Sequence, residues 1–219
     1  MPALLLVLLL FAGALPAVAQ NQAGVDPLDA ARRELQQGHL EEALAAIDQA
    51  EKSGSATTSS HDLRGLILLE QGKPEEALAS FRAAQKAEPD AFLPRLHIGD
   101  ALLRAKKWEE ARAEYIEVIR STNILKHNER LRFGILMTHL GAQDTAGAKE
   151  AYDRIKFPTE SPAYYYAQAA WSYANGEKRE GDKWLRTADD MFDEQKTAWF
   201  ARPLHDFGWI KRKPAPAPE

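Results

Sequence analysis

The sequence predicts an all-α protein, an α-solenoid of about five stacked helical hairpins followed by a C-terminal capping helix. Three observations lead to this fold class. Two columns of small or turn-forming residues recur at a constant spacing, a helical pattern of small and large residues follows each turn, and an aromatic-rich segment comes after the last unit. A period of roughly 20–50 residues is typical of repeat architectures, in which each unit buries its apolar face against its neighbours.

The first helix of each hairpin contains one small residue. These residues are Ala31, Gly65, Gly99, Gly134 and Ala169, with spacings of 34, 34, 35 and 35 residues. A second column lies seven residues later and has the same spacings: Gly38, Gly72, Lys106, Gly141 and Gly176. Glycine at a turn can adopt a positive φ and end a helix without a Cβ clash, so this second column predicts the turns.

The second helix of each hairpin has a face of small, large and small residues at i, i+4 and i+7, which share one side of an α-helix. In the second unit this face is Ala77, Phe81 and Ala84, and Pro89 ends the helix. In the third unit Ala111 and Tyr115 lie on the face, and Trp108 follows the turn residue Lys106. The small residues let two helices approach closely, and the large residue fills the remaining space. In the fourth unit the face comes two residues later, which predicts a longer turn between Gly141 and Ala148.

This unit resembles the tetratricopeptide repeat family. The stretch GLILLEQGKPEEALASFRAAQKAEP, residues 65–89, is the best match within the chain, followed by residues 97–119. The resemblance covers roughly residues 26–191. It implies a right-handed solenoid that serves as a scaffold for protein–protein interaction, with a protein or peptide as its partner.

The predicted domain organisation follows from the repeats and from composition. It comprises a signal peptide (1–19), a short linker (20–25), the repeat domain (26–191), an aromatic-rich cap (192–210) and a flexible tail (211–219). The repeat units are placed near residues 24–57, 58–91, 92–126, 127–161 and 162–191.

The N-terminal segment contains an apolar run from Leu4 to Leu15, 12 residues long. This is the length of a signal-peptide core and is shorter than the roughly 20 residues that span a bilayer. We therefore expect cleavage before Gln20 and export to the periplasm or the medium of a bacterium, with no stable membrane span afterwards. The alternative is an uncleaved N-terminal anchor, because no Lys or Arg precedes the run.

In proteins that this chain resembles, first-helix residues that are not used for packing line a concave groove, which binds a peptide or a partner helix. Carried over by register, the predicted groove residues are Arg32, Asp62, Leu66, Glu70, His97, Asp100, Arg104, Leu131, Ile135, His139, Tyr166 and Tyr173. They change from charged to aromatic along the chain, so a partner with a basic end and an apolar or aromatic end would fit. We expect Tyr166 or Tyr173 to be exposed as an anchor; alternatively, both pack under the C-terminal helix.

The segment after the repeats is dense in large apolar residues: Trp199, Phe200, Leu204, Phe207, Trp209 and Ile210. We expect it to fold back on the fifth unit, because large exposed apolar patches are uncommon on monomers. The alternative is that it docks a partner or a second copy of the chain, which would make a self-assembling homodimer.

Several functional classes find no support in the sequence. The net charge is −4 with mixed signs, whereas a dedicated nucleic-acid binder would show a basic stripe. The chain has no cysteine, no HExxH and no GxSxG. His97 and Asp100 lie three residues apart on one helix, and with His139 they would supply three metal ligands. No metal site is predicted, because scattered polar residues on a repeat surface need no metal. We therefore predict no enzyme activity and no cofactor.

Overall fold

Eleven helices make up the described part of the computed structural model, which comprises residues 27–54, 57–121, 125–157 and 160–211. Their bounds are α1 Pro27–Gln37, α2 Leu40–Lys52, α3 Thr58–Glu70, α4 Pro74–Ala87, α5 Phe92–Arg104, α6 Trp108–Ser121, α7 Leu125–Gly141, α8 Thr145–Asp153, α9 Ala163–Ala174, α10 Lys178–Met191 and α11 Glu194–Asp206. No strand occurs among these residues, and the predicted all-α, solenoid-like fold is confirmed. The predicted signal peptide, linker and nearly all of the tail lie outside the described residues.

The helices form an inner and an outer row. Each helix from α1 to α10 packs on the next, and the odd-numbered helices α1, α3, α5, α7 and α9 also contact one another in succession. These odd-numbered helices are the inner row. Of the helices in the described ranges, none is long and apolar enough to cross a membrane.

The small residues of the first column allow close helix packing, as predicted. A Cβ at Gly65 would lie 2.4 Å from the ring of Phe81, and one at Gly99 would lie 2.5 Å from the ring of Tyr115. Gly134 also faces Tyr115, which belongs to the preceding unit, and its Cβ would lie 2.7 Å from that ring. Real Cβ atoms do not approach this closely, so a side chain at any of these positions would overpack the core.

The predicted turns are confirmed in four units and wrong in the fourth. Gly38, Gly72 and Gly176 have φ values of 81°, 75° and 78°, and Lys106 adopts a φ of 58°. In the fourth unit the left-handed residue is Gln143, with a φ of 57°.

The predicted longer turn in the fourth unit is also wrong. The turn between α7 and α8 has three residues, as in the second and third units, and the two additional residues lie in α7. Gly141 is the last residue of α7 and packs against Trp108, whose ring would lie 2.8 Å from a Cβ at this position. Close packing, and not a positive φ, therefore requires glycine there.

Candidate partner-binding groove

The C-terminal helix α11 lies across the inner row of helices. The indole Nε1 of Trp199 donates to Asp100 Oδ2 of α5 at 2.9 Å, and the Arg202 side chain pairs with Glu70 of α3. The surface of α3, α5, α7 and α9 that α11 covers is called the inner groove below. The C-terminal segment does pack on the fifth unit, as predicted, but α11 also extends to the second unit, which the prediction missed.

Asp100 is the centre of the polar contacts in the inner groove. Asp100 is 6% exposed, and its carboxylate accepts hydrogen bonds from the Tyr115 hydroxyl at 2.8 Å, from Arg130 at 2.5 Å and from Trp199. The Arg130 guanidinium also lies 4.2 Å from the centre of the Trp199 ring, a cation–π geometry. Burial, together with the charge of Asp100, raises the pKa of Tyr115 well above its ordinary value, so the hydroxyl remains a donor.

Two further ion pairs orient α11 at the end of the groove nearest the second unit. One is the pair between Arg202 and Glu70. The other joins Arg104 Nε of α5 to Asp206 Oδ2 at 3.2 Å, while another nitrogen of Arg104 donates to the carbonyl of Leu69 at 2.6 Å. Both pairs are partly exposed, so their stabilisation is modest and their main effect is to set the position of the helix.

Aromatic rings fill the end of the groove formed by α7 and α9. The ring of Phe133 lies 5.4 Å from Phe200 and 6.0 Å from Trp199, both edge-on, and Tyr166 lies 5.7 Å from Phe200. Tyr166 is 3% exposed, and its burial raises its pKa to about 12. Offset and edge-on ring pairs of this kind stabilise beyond their buried area.

A glycine turn after α11 brings two more rings onto the repeats. Gly208 has a φ of 74°, and the Trp209 N–H donates to the Leu204 carbonyl at 3.0 Å, as in a Schellman motif. Trp209 then stacks on Tyr173 at 5.9 Å, and Phe207 lies 5.7 Å from Trp108.

Comparison with known families agrees with the repeats. The family model described as Tetratricopeptide repeat matches residues 28–91 and, in a second overlapping match, residues 63–123. Residues 28–123 therefore belong to the tetratricopeptide repeat family. Members of this family generally serve as scaffolds for protein–protein interaction and not as enzymes. A search of curated proteins finds no match to the chain.

The expectation that Tyr166 or Tyr173 is exposed is wrong, and the alternative is confirmed. Tyr173 is 8% exposed, and its hydroxyl donates to Asp182 at 2.6 Å. Burial, followed by this hydrogen bond, raises its pKa, and the same bond helps to lower the pKa of Asp182. Both tyrosines pack under the C-terminal segment because α11 places Phe200 and the following turn places Trp209 directly on them.

The predicted groove residues of the fourth unit lie elsewhere. Leu131 is fully buried in the core, while Ile135 and His139 line a different groove between α6 and α8. Because α7 is two residues longer than the repeat period suggested, Phe133 takes the position facing α11. The later start of the small–large–small face in this unit was the signal that could have identified Phe133.

The remaining predicted residues differ in their surroundings. His97 is 6% exposed and hydrogen-bonds through Nδ1 to Asp62 at 2.8 Å, and Leu66 borders the Trp199 side chain. Arg32 in the first unit is exposed and pairs with Asp29 at 2.6 Å. Whether any of these side chains contacts a partner protein stays a prediction.

His97, Asp100 and His139 each hydrogen-bond to different partners. His97 bonds to Asp62, Asp100 to the Tyr115–Arg130–Trp199 group, and His139 Nδ1 to Asp144 at 2.7 Å. Across the described ranges, no three His, Cys, Asp or Glu side chains are grouped as a metal site would require.

Proposed function

We propose that this protein is an exported scaffold that binds a helix of a partner protein in the inner groove, in cell-envelope assembly or within a larger complex. The observation that carries this proposal is the presence of α11 in that groove. An amphipathic helix in a groove of apolar and charged side chains is a recurring mode of peptide recognition. The groove thus already holds, from its own chain, the kind of ligand that we assign to it.

The contacts of α11 specify the chemistry of the partner helix. On the partner helix, Asp100 requires a hydrogen-bond donor and Glu70 requires a cation. Phe133 and Tyr166 pack best against an aromatic side chain. A partner helix with a Trp, an adjacent aromatic residue and, about one turn away, an Arg would satisfy all four groups, as Trp199, Phe200 and Arg202 do. This agrees with the basic end and aromatic end expected from the sequence.

A partner must displace α11, and this lowers its apparent affinity. If α11 occupies the groove in most molecules, the apparent dissociation constant rises in inverse proportion to the open fraction. Each roughly 1.4 kcal/mol by which α11 stabilises the closed form weakens the partner about tenfold. Weakening the docking of α11 without altering the groove should therefore strengthen partner binding.

The Arg202–Glu70 pair allows a direct test, with residues 20–219 as bait against the envelope and secreted fractions of the source cell. Arg202→Glu should increase capture of the partner, because it repels α11 and leaves the groove intact. Glu70→Arg should decrease capture, because it alters the groove itself. The double variant, which restores the ion pair in reverse, should capture no more than Glu70→Arg alone. Equal capture by all four proteins, each confirmed as folded by circular dichroism, would reject the inner groove as the site.

Export is part of the proposal, supported by the apolar run and the small residues before Gln20. N-terminal sequencing of the protein recovered from the envelope fraction tests it. We expect a mature protein that begins at Gln20, whereas an intact Met1 in the membrane fraction would support the anchor.

A further inference from the structure

A second groove lies on the other side of α7, between α6 and α8. Its cavity has a volume of about 680 Å³. Phe133 faces α11, and Ile135, two residues further along α7, faces this cavity on the opposite side of the helix. We call this cavity the outer groove; apart from Ile135 and His139, no predicted site residue lines it.

The outer groove combines an apolar floor with a basic rim. Three branched side chains, Ile116, Ile119 and Ile135, are partly buried in it. The cations that line it are Arg112, Arg120, Arg132, Arg154 and Lys156. The only carboxylates among the described lining residues are Glu150 and Asp153, which leaves a formal charge of +3 in a chain whose net charge is −4.

Two ion pairs at this rim are exposed on both sides, whereas Arg112, which pairs with Glu109, is mostly buried. Arg154 pairs with Glu150 at 2.5 Å, and both side chains are 68% exposed. Asp153 pairs with Lys149 on its own helix, also in water. Exposed pairs of this kind contribute little stability, so a ligand carboxylate can replace them at small cost.

The neighbouring groove between α4 and α6 provides an internal comparison. It lies one unit earlier and also has a partly apolar lining, which includes Ile98 and Leu102. Its charged residues are Arg82, Arg120, Glu110, Glu114 and Glu117, a formal charge of −1. The net positive charge is therefore not shared by the neighbouring groove, although Arg120 lines both.

We propose that the outer groove binds an acidic amphipathic segment of another protein. Its carboxylates pair with the arginines, whose planar guanidinium groups match a carboxylate with two parallel hydrogen bonds. Its apolar side chains cover the three isoleucines. A nucleic acid fits less well, because a phosphate backbone gains nothing from an apolar floor and favours a longer basic stripe. This site is independent of the inner groove, so the two proposals can fail separately.

The test uses methyl NMR of the full chain labelled at isoleucine. The probe is a helical 18-residue peptide of Glu and Leu with Leu on one face, and the control peptide has Lys in place of Glu. We expect the acidic peptide alone to shift the Ile119 and Ile135 methyl signals, with an affinity that falls as salt is added. Ile98, in the neighbouring groove, should not respond.

Matched variants then locate the binding. Arg132→Glu combined with Arg154→Glu should weaken the acidic peptide about tenfold or more, while Arg82→Glu in the neighbouring groove should have no comparable effect. Arg202→Glu, which concerns only the inner groove, should leave this binding unchanged. No methyl shift, equal response to the basic peptide, a shift centred on Ile98, or tighter binding of single-stranded DNA at the same methyls would each overturn the proposal.

Discussion

Replacing Trp199 by Phe removes one hydrogen-bond donor from the inner groove and leaves an aromatic ring in its place. The lost bond joins Nε1 to the buried Asp100 carboxylate at 2.9 Å. A hydrogen bond to a charged group contributes about 1.5–3 kcal/mol, and the smaller ring loses additional packing worth less than about 1.5 kcal/mol. We therefore expect Trp199→Phe to lower the free energy of unfolding by about 2–4 kcal/mol.

Trp184→Phe is the matched control. Trp184 of α10 is also partly buried and lies 6.0 Å from the Tyr164 ring, yet its indole N–H has no hydrogen-bond partner among the described residues. It should lose only the packing contribution. The difference between the two variants isolates the bond to Asp100.

Urea unfolding measures both variants, with equal m-values confirming that the comparison is valid. In thermal unfolding each kcal/mol corresponds to about 2–4 °C in a domain of this size. A double-mutant cycle with Asp100→Asn should show a coupling energy of at least about 1 kcal/mol. Equal destabilisation by Trp199→Phe and Trp184→Phe, with no coupling to Asp100, would refute the docking of α11 in the inner groove.

Three further predictions concern packing, backbone and pH. Gly99→Ala should lower the free energy of unfolding by about 1–3 kcal/mol, because its Cβ would overlap the buried Tyr115 ring; an unchanged melting temperature would contradict the close approach. Gln143→Gly should raise the free energy of unfolding by about 0.5–1 kcal/mol, because a left-handed residue with a Cβ costs more than the extra chain entropy of glycine. A lower stability of this variant in urea unfolding would contradict the prediction. The free energy of unfolding should decrease between pH 10 and 12, because the unfolded chain loses the Tyr166 proton near pH 10 and the folded chain only near pH 12. Tyr166→Phe should make this decrease shallower. An identical slope in the variant would exclude Tyr166 as the source of the decrease.

The repeat pattern predicted the helical core well because packing between adjacent helices depends on residues close in sequence. Gly65 and Phe81 are 16 positions apart, and their pairing follows directly from helical periodicity. Glycine, however, marks two different requirements. At Gly72 it permits a positive φ, whereas at Gly141 it permits contact with Trp108, and residue type alone does not distinguish these cases.

Local sequence patterns could not predict the position of α11. The aromatic residues after Met191 predicted that this segment is buried, but not which surface of the repeats covers it. The contact between Trp199 and Asp100 joins residues 99 positions apart, and no periodicity specifies such a pairing. The register of the fourth unit added a second error, since Gln143 is an unusual residue for a left-handed turn and gave no sign that α7 is longer.

The return of α11 to the second unit changes how the repeats unfold. In an open solenoid each unit contacts only its neighbours, so the ends unravel independently and cooperativity declines with length. Here α11 joins units two to five through Trp199 and Phe200 as well as through the Arg202–Glu70 pair, so α11 must leave the inner groove before these units can open separately. The first unit is not one of these, and its apolar residues, from Leu28 to Ala50, form a separate cluster with Leu63 and Ile67 of the second unit. Hydrogen exchange should therefore begin in α1 and α2, with α3 to α10 opening only after α11 has left the inner groove.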